Sequence, residues 1–382
     1  MVCISTQEEI MLQLQFKPEL HYFDTCREFA EQFRISADDI ILTNKYIYEP
    51  FFGSMNLPAS VVYQEAFGAG EPSDVMVNAI LESIEGKSCR RVIAVGGGTI
   101  IDIAKVLAVA PEGARVDDLY RDMASLSARR ELIILPTTCG TGSEVTNISI
   151  LNRTTLGTKM GLVSPAMFAS KAVLVPELLS SLPYGVFATS SIDALVHAVE
   201  SALSPRATPY THIFSVKAME MILRGYQVIR RDGPQARESL MKDFLIASNF
   251  AGLAFGTAGC AAVHALSYPL GGTYHVPHGE SNYSVFVAVL KAYRAVRNDG
   301  RLAELEAFLA SLLDCGKDEA FDRLGDLLSA VLPLKRLREY GMTENDVPAF
   351  AASVLATQQR LLRNNYVPLS EEQIAAVYAS RL

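Results

Sequence analysis

Short apolar runs alternate with amphipathic stretches through the first half of the chain, and after about residue 184 the runs stop. "DDIILTN" (38–44), "RRVIAVGGG" (90–98), "RELIILPTT" (130–138), "NISILN" (147–152) and "KAVLVP" (171–176) are brief and almost uniformly apolar, which suits parallel strands buried on both faces. Between them lie helical patterns such as "DVMVNAILESIEG" (74–86), which ends on a glycine stop at Gly86. This alternation predicts a doubly wound α/β domain with a parallel sheet. Past the "SSLPYG" turn (180–185), long segments such as "YGVFATSSIDALVHAVESALS" and "YTHIFSVKAMEMILRGYQVIRR" carry 3.6-residue apolar spacing. Ser370, three residues before Gln373, has the capping-box form of a last helix start. The expected organisation is an α/β N-terminal domain over residues 1–183 and an all-α C-terminal domain over residues 184–382, consistent with a length too great for one ordinary core.

Composition removes several classes of function. A net charge of −8, with no basic stretch interleaved with aromatics, argues against nucleic acid or an anionic membrane as partner. The N-terminal "MVCISTQEEIMLQLQFK" has acidic residues where a signal peptide needs basic ones. The most apolar long stretch, "FAGLAFGTAGCAAVHALSYPLGG", is interrupted by glycines and a histidine and reads as a buried helix rather than a membrane span. Six cysteines without a Cys-x-x-Cys pair read as free thiols in a reducing cytoplasm.

Two loops then point to a ligand. "VIAVGGGTIIDIAK" (92–105) is a strand, a three-glycine turn and a helix start. Glycines let backbone approach a ligand closely, and a new helix aims free N–H groups at an anion, so a pyrophosphate is the expected guest. The pattern is not G-x-G-x-x-G, and a plain strand-to-helix turn also uses glycines. "LPTTCGTGSEVTN" (135–147) adds the hydroxyls of Thr137, Thr138, Thr141 and Ser143 directly after another buried strand. Open α/β sheets bind ligands at the carboxyl ends of their strands, so these two loops are expected to form a dinucleotide or phosphate site.

The histidines supply the second signal. "HALSYPLGGTYHVPH" (264–278) holds three of the chain's six histidines in fifteen positions. Upstream, "SIDALVHAVE" (191–200) sets Asp193 and His197 four apart, on one helix face. A buried Asp–His hydrogen bond would satisfy that pair alone. With His264 and His278 added, one carboxylate and three imidazoles can close a divalent-metal site with an open position. Zinc, iron(II), cobalt and nickel all suit such ligands. A rival pair, Cys260 with His264, is also four apart, but no second cysteine accompanies it.

"GGGTIIDIAK", "LPTTCGTGSEVT", "SIDALVHAVES" and "HALSYPLGGTYHVPHGESN" resemble the signature segments of the iron-containing, group III metal-dependent alcohol dehydrogenases, and length and α/β-then-helical order fit the same family. The last segment is most similar to the branch acting on 4-hydroxybutyrate. The resemblance implies metal ligands at Asp193, His197, His264 and His278, with Fe2+ or alternatively Zn2+. It also implies a pyrophosphate turn at Gly96, Gly97, Gly98 and Thr99, with Asp102 near the nicotinamide, Thr137 and Thr138 lining the cofactor, and Lys159 reaching its sugar. Three positions depart from the family pattern. Asn44 stands where relatives often carry an Asp that binds the adenosine ribose, leaving NADP open beside NAD. Tyr268 replaces a proton-relaying histidine, and Val175 replaces an Asp that is read as structural.

The implied reaction passes hydride between the nicotinamide and a short-chain primary alcohol or aldehyde, most simply 4-hydroxybutyrate and succinate semialdehyde, with the metal as Lewis acid on the substrate oxygen. Tyr268 and His275 are the candidates for proton release. A carboxylate substrate needs a cation or several N–H donors, for which His275 or a basic residue of the helical domain is a candidate. Butanol, 1,3-propanediol and lactaldehyde are alternative substrates. A non-redox lyase of the dehydroquinate synthase type and a non-catalytic nucleotide-binding module are the competing classes. The resemblance also implies a homo-oligomer, a dimer or larger.

Overall fold

The computed structural model describes residues 12–382; residues 1–11, with Cys3 and most of the N-terminal stretch weighed against a signal peptide, lie outside the described residues. The α/β half contains β1 (Glu19–Tyr22), α1 (Cys26–Phe33), β2 (Asp39–Thr43), α2 (Lys45–Phe52), β3 (Ser60–Tyr63), α3 (Asp74–Ile84), β4 (Arg91–Gly96), α4 (Gly98–Val109), α5 (Val116–Arg121), β5 (Glu131–Pro136), β6 (Ile148–Arg153), β7 (Thr158–Val163) and β8 (Lys171–Leu174). The helical half contains α6 (Tyr184–Leu203), α7 (Pro209–Asp232), α8 (Met241–Ala258), α9 (Ala262–Tyr274), α10 (His278–Val296), α11 (Gly300–Leu313), α12 (Ala320–Val331), α13 (Asp346–Thr357), α14 (Gln359–Leu362) and α15 (Glu371–Arg381).

Six strands form one sheet in the order β1-β8-β5-β4-β2-β3, with every neighbouring pair parallel. The central strands β2, β4 and β5 are the apolar runs singled out in the sequence, and β2 and β4 are buried throughout. Residues 147–152 behave differently from the expectation of a parallel strand: β6 pairs antiparallel with β7 as a separate hairpin. Its burial alternates along the strand, as a half-exposed ribbon requires. The edge strands β1 and β3 carry no clear signal in the sequence because they are only four residues long, β1 largely exposed and β3 mostly half-buried, so no buried run marks them.

The two sheet faces feed different cores. Val92, Ala94, Leu132 and Ile134 pack with α3 and α4, whereas Ile93, Val95, Ile133 and Leu135 belong to the apolar cluster that continues into α6–α10. The period of two along β4 and β5 therefore welds the helical half to one face of the sheet. The ends of these strands are thereby held against α6. Ser370 caps α15 as expected, with Ser370 and Gln373 bonding each other's backbone N–H. Among the described residues no single helix is long and apolar enough to cross a membrane, and the apolar stretch around Gly259 bends by 102° between the segments ending at Ala258 and beginning at Ala262.

Candidate active site

β4 ends at Gly96 and α4 begins at Gly98, with Gly97 as an extended N-cap that has no side chain to cap the helix. The first N–H groups of a helix have no partner within it, so α4 presents donors at the sheet's carboxyl edge. A Cβ on Gly96 would fall 2.4 Å from Ile100, which makes glycine obligatory for this tight turn. Thr138 and Thr141 line the other side: their methyl carbons would lie 3.2 and 3.0 Å from a Cβ built on Gly97 and Gly98. Thr137 donates its N–H to the Gly96 carbonyl at 3.1 Å, and the Thr99 hydroxyl reaches the Gly70 carbonyl at 3.4 Å. The result is a cradle of bare backbone between two hydroxyl-bearing loops, which fits a pyrophosphate.

Asp102, one turn into α4, accepts from the Ser143 hydroxyl at 3.1 Å and the Ile150 N–H at 2.8 Å. Burial raises its pKa, opposed by the Lys105 charge. Lys105 was not singled out by the sequence, yet it is fully buried and spends its three donors on Ser143 Oγ (2.7 Å), Thr146 Oγ1 (3.0 Å) and the Ile148 carbonyl (2.7 Å). Burial lowers its pKa to about 8 against the pull of Asp102 and Glu144. Lys105 thus hangs the 143–148 loop on α4. Lys159 on β7 pairs with Glu71 at 2.5 Å, and its Nζ lies 3.8 Å from a Cβ built on Gly271 of α9, at the junction of the two halves. Asn44, buried at the end of β2, donates to Gln64 Oε1 at 3.1 Å and Glu65 Oε2 at 2.8 Å.

The histidine cluster lies next to the loop that follows β5. Asp193 and His197 leave the same face of α6, His264 comes from the first turn of α9, and His278 is the first residue of α10. Gly279 lets α10 come this close: a Cβ there would meet the Thr189 carbonyl of α6 at 2.5 Å. Ligand atoms of Asp193, His264 and His278 all lie within 4.8 Å of one another. Asp193 Oδ1 is 3.8 Å from both His264 Nε2 and His278 Nε2, and His264 Nε2 is 3.0 Å from His197 Nε2.

Two of the rings are oriented from behind. His264 Nδ1 bonds the buried Glu200 carboxylate at 2.6 Å, and Glu200 also accepts from Ala261 N and Val263 N at 2.9 and 2.6 Å. His197 Nδ1 faces the Gly140 carbonyl at 3.3 Å, and its ring stacks on Phe255 with centroids 4.2 Å apart. With both Nδ1 protons given to oxygen, the two Nε2 atoms would face each other lone pair to lone pair. Such a contact is stable only with positive charge between or beside the rings. The electrostatics agree. Burial opposes charge on both rings, but for His197 the Asp193 carboxylate and for His264 Cys260 and Glu200 outweigh it and raise the pKa. Asp193, despite burial, is held below the ordinary carboxylate value by the three imidazoles. His278, half-buried, is pushed down to about 4 by desolvation, so it is a neutral ligand near pH 7. Asn282 donates Nδ2 to Asp193 at 2.7 Å, while its buried Oδ1 has no hydrogen-bond partner. A divalent cation suits this donor set of one carboxylate and three imidazoles, two of them pre-oriented, and would supply the positive charge that protons otherwise bring to the His197 and His264 rings.

Tyr268 lies beside the cluster, its ring centroid 6.3 Å from that of His278, and burial raises its pKa, leaving a neutral phenol donor. His275 is exposed, in left-handed conformation at the end of α9, and makes no hydrogen bond to the cluster among the described residues. Cys260, the rival ligand, also comes within reach: its sulfur and ligand atoms of His197 and His264 lie within 4.8 Å of one another. Burial raises its thiol pKa, but the two imidazoles outweigh it and bring the value to about 7. Glu200 and Asn282 were missed by the sequence reading. Glu200 had a signal, since Asp193, His197 and Glu200 follow an i, i+4, i+7 helical face.

Comparison with known proteins sets this geometry in context. A model described as "Iron-containing alcohol dehydrogenase" matches residues 23–176, and one described as "Fe-containing alcohol dehydrogenase family, C-terminal" matches residues 187–382. The chain is 49% identical to 4-hydroxybutyrate dehydrogenase of Clostridium kluyveri over 96% of its length and 99% of the relative's. It is 31% identical to sulfoacetaldehyde reductase of Bilophila wadsworthia over 80% of each chain. Among solved structures, sulfoacetaldehyde reductase from Bifidobacterium kashiwanohense in complex with NAD+ superposes with a TM-score of 0.83 at 23% identity, covering 96% of this chain and 98% of that one. A 1,3-propanediol oxidoreductase gives a TM-score of 0.83 at 22% identity over 97% of this chain and all of the other.

Proposed function

The chain belongs to the iron-containing alcohol dehydrogenase family, and from that premise we propose that it passes hydride between NAD and 4-hydroxybutyrate or succinate semialdehyde at the Asp193–His197–His264–His278 cluster. It is a metal-dependent alcohol oxidoreductase, and the substrate assignment draws on the relative that is 49% identical over 96% of the chain. The observation that carries the metal site is the facing pair of imidazole Nε2 atoms, 3.0 Å apart beside the Asp193 carboxylate, with their other nitrogens turned to oxygen. Fe2+ is the assigned ion and Zn2+ the alternative, since both accept this ligand set.

When bound, the cation supplies Lewis-acid polarisation of the substrate oxygen and the nicotinamide supplies or accepts hydride at C4. The protein does the rest. The Gly96–Gly98 turn, with Thr99, Thr137 and Thr138 around it, is assigned to the pyrophosphate, Asp102 to the cofactor's nicotinamide side and Lys159 to its sugar. Glu200 and the Gly140 carbonyl hold two ligand rings in register, so binding the ion requires little reorganisation. In the oxidative direction the substrate loses hydride from carbon and a proton from oxygen. We assign the hydrogen bond to that oxygen to the Tyr268 hydroxyl and proton exit to His275, at the exposed end of α9. A homo-oligomeric, cytoplasmic enzyme completes the reading, supported by family membership and by five free cysteines among the described residues.

The test compares kcat/KM for succinate semialdehyde, butanal, 3-hydroxypropanal and lactaldehyde with NADH and Fe2+-loaded protein, followed at 340 nm. A preference of about tenfold or more for succinate semialdehyde supports the assignment. Equal or better use of an uncharged aldehyde rejects the 4-hydroxybutyrate reading. Absence of turnover with every aldehyde rejects the dehydrogenase reading.

A further inference from the structure

The sheet order fixes which end of a dinucleotide meets which strands. β4, whose turn cradles the pyrophosphate in the proposed reading, has β5 on one side and β2, then β3, on the other. The loop after β5 touches the histidine cluster through Gly140. A nicotinamide extended toward the cluster therefore lies on the β5 side, and the adenosine half falls over the carboxyl ends of β2 and β3. Those ends carry Asn44 and Glu65.

Asn44 lacks the charge of an aspartate at this position, which by itself leaves a 2′-phosphate unopposed. The structure supplies the charge from the next strand. Glu65, exposed just past β3, accepts the Asn44 amide at 2.8 Å and the Lys45 N–H, at the start of α2, at 2.6 Å. Both Asn44 Nδ2 hydrogens are committed, one to Gln64 and one to Glu65. Only Oδ1, an acceptor, remains to meet a ribose. A ribose hydroxyl can donate to it, whereas a phosphate dianion cannot. Lys45, exposed beside them, is the cation that would otherwise welcome a 2′-phosphate, and Glu65 balances it.

We infer that Glu65, acting with Asn44, is the residue that makes this enzyme select NAD over NADP. The inference rests on the proposed assignment of the β4–α4 turn to the cofactor. Glu65 is ionised at neutral pH: burial raises its pKa, but the N–H groups of Lys45 and of Glu65 itself, with the Asn44 amide, outweigh it. Selection then operates against NADP twice over, by repulsion from Glu65 and by loss of the hydrogen bond that the 2′-hydroxyl of NAD can give to Asn44 Oδ1.

Equilibrium binding tests this without turnover. NADH and NADPH are titrated into metal-free protein by nucleotide fluorescence, for the natural chain and for Glu65→Gln, with 5′-AMP and adenosine 2′,5′-bisphosphate as competing fragments. The natural chain is expected to bind NADH at least about tenfold tighter than NADPH. Glu65→Gln should tighten NADPH and the bisphosphate by about tenfold, weakening with added salt, and move NADH and 5′-AMP less. Equal affinity of the natural chain for the two cofactors, or an unchanged ratio in Glu65→Gln, overturns the inference while leaving the function intact. If NADH does not bind at all, the cofactor assignment of the turn falls, and this inference with it.

Discussion

The cofactor turn and the histidine cluster are neighbours built on opposite principles. The turn is made of absence: three glycines expose backbone, and in the proposed reading the unpaired helix N–H groups do the binding. The cluster is made of presence: four titratable side chains from three helices are taken out of water, a cost recovered only when each polar atom has a partner. A backbone site should lose affinity in steps as bulk is added. A cluster of mutually dependent charges should fail together when one member is removed.

Removing a ligand gives the largest expected effect. His264→Ala breaks contacts to His197, Glu200 and Asn282 at once. Metal retention, read by elemental analysis, and turnover should fall together, the latter by about 1,000-fold or more. Retention of both would show that the cluster is not the metal site. Adding bulk to the turn is the counterpart. In Gly97→Val the side chain must compete with the Thr138 methyl and with the cofactor. NADH affinity is expected to drop by about 10- to 100-fold while metal content stays unchanged, and loss of metal would break the contrast between the two sites.

Glu200→Gln probes the cluster without touching a ligand. The amide cannot accept three donors as the carboxylate does, and His264 loses its anchor. Metal affinity, measured by competition with a chelator, should weaken by about 10- to 100-fold with an unchanged helical circular dichroism spectrum.

The smallest effect belongs to Lys105, beneath the turn. Its folded pKa of about 8 lies below its ordinary value of 10.5, so its burial penalty is constant at lower pH and is relieved as pH rises between those two values. Urea unfolding of the natural chain, referenced to Lys105→Met, should therefore gain about 2 kcal/mol between about pH 7.5 and pH 9.5. A flat difference would mean that Lys105 is not desolvated.

The same opposition governs what the sequence revealed. The turn and the central strands were legible because glycine runs and buried β-branched runs are local signals: 92–105 reads as strand, turn and helix without reference to any other segment. The cluster was legible in its imidazoles, whose chemistry is rare enough to stand out. Its supports were not. Glu200 meets His264 across 64 positions, and Lys105 meets Ser143 across 38. Nothing local distinguishes a buried lysine on a helix from an exposed one. Likewise 147–152 has the composition of a central strand, and only its pairing with 158–163, which is largely exposed or half-buried, makes it a hairpin.

The most direct measurement is a titration of metal-free protein with Fe2+ under anaerobic conditions, in the presence of NADH and succinate semialdehyde, with the rate at 340 nm recorded at each addition. Activity should rise linearly from near zero and break at one ion per chain, as a single cation held by Asp193, His197, His264 and His278 requires. Full activity before any metal is added, or none at any loading, would contradict it.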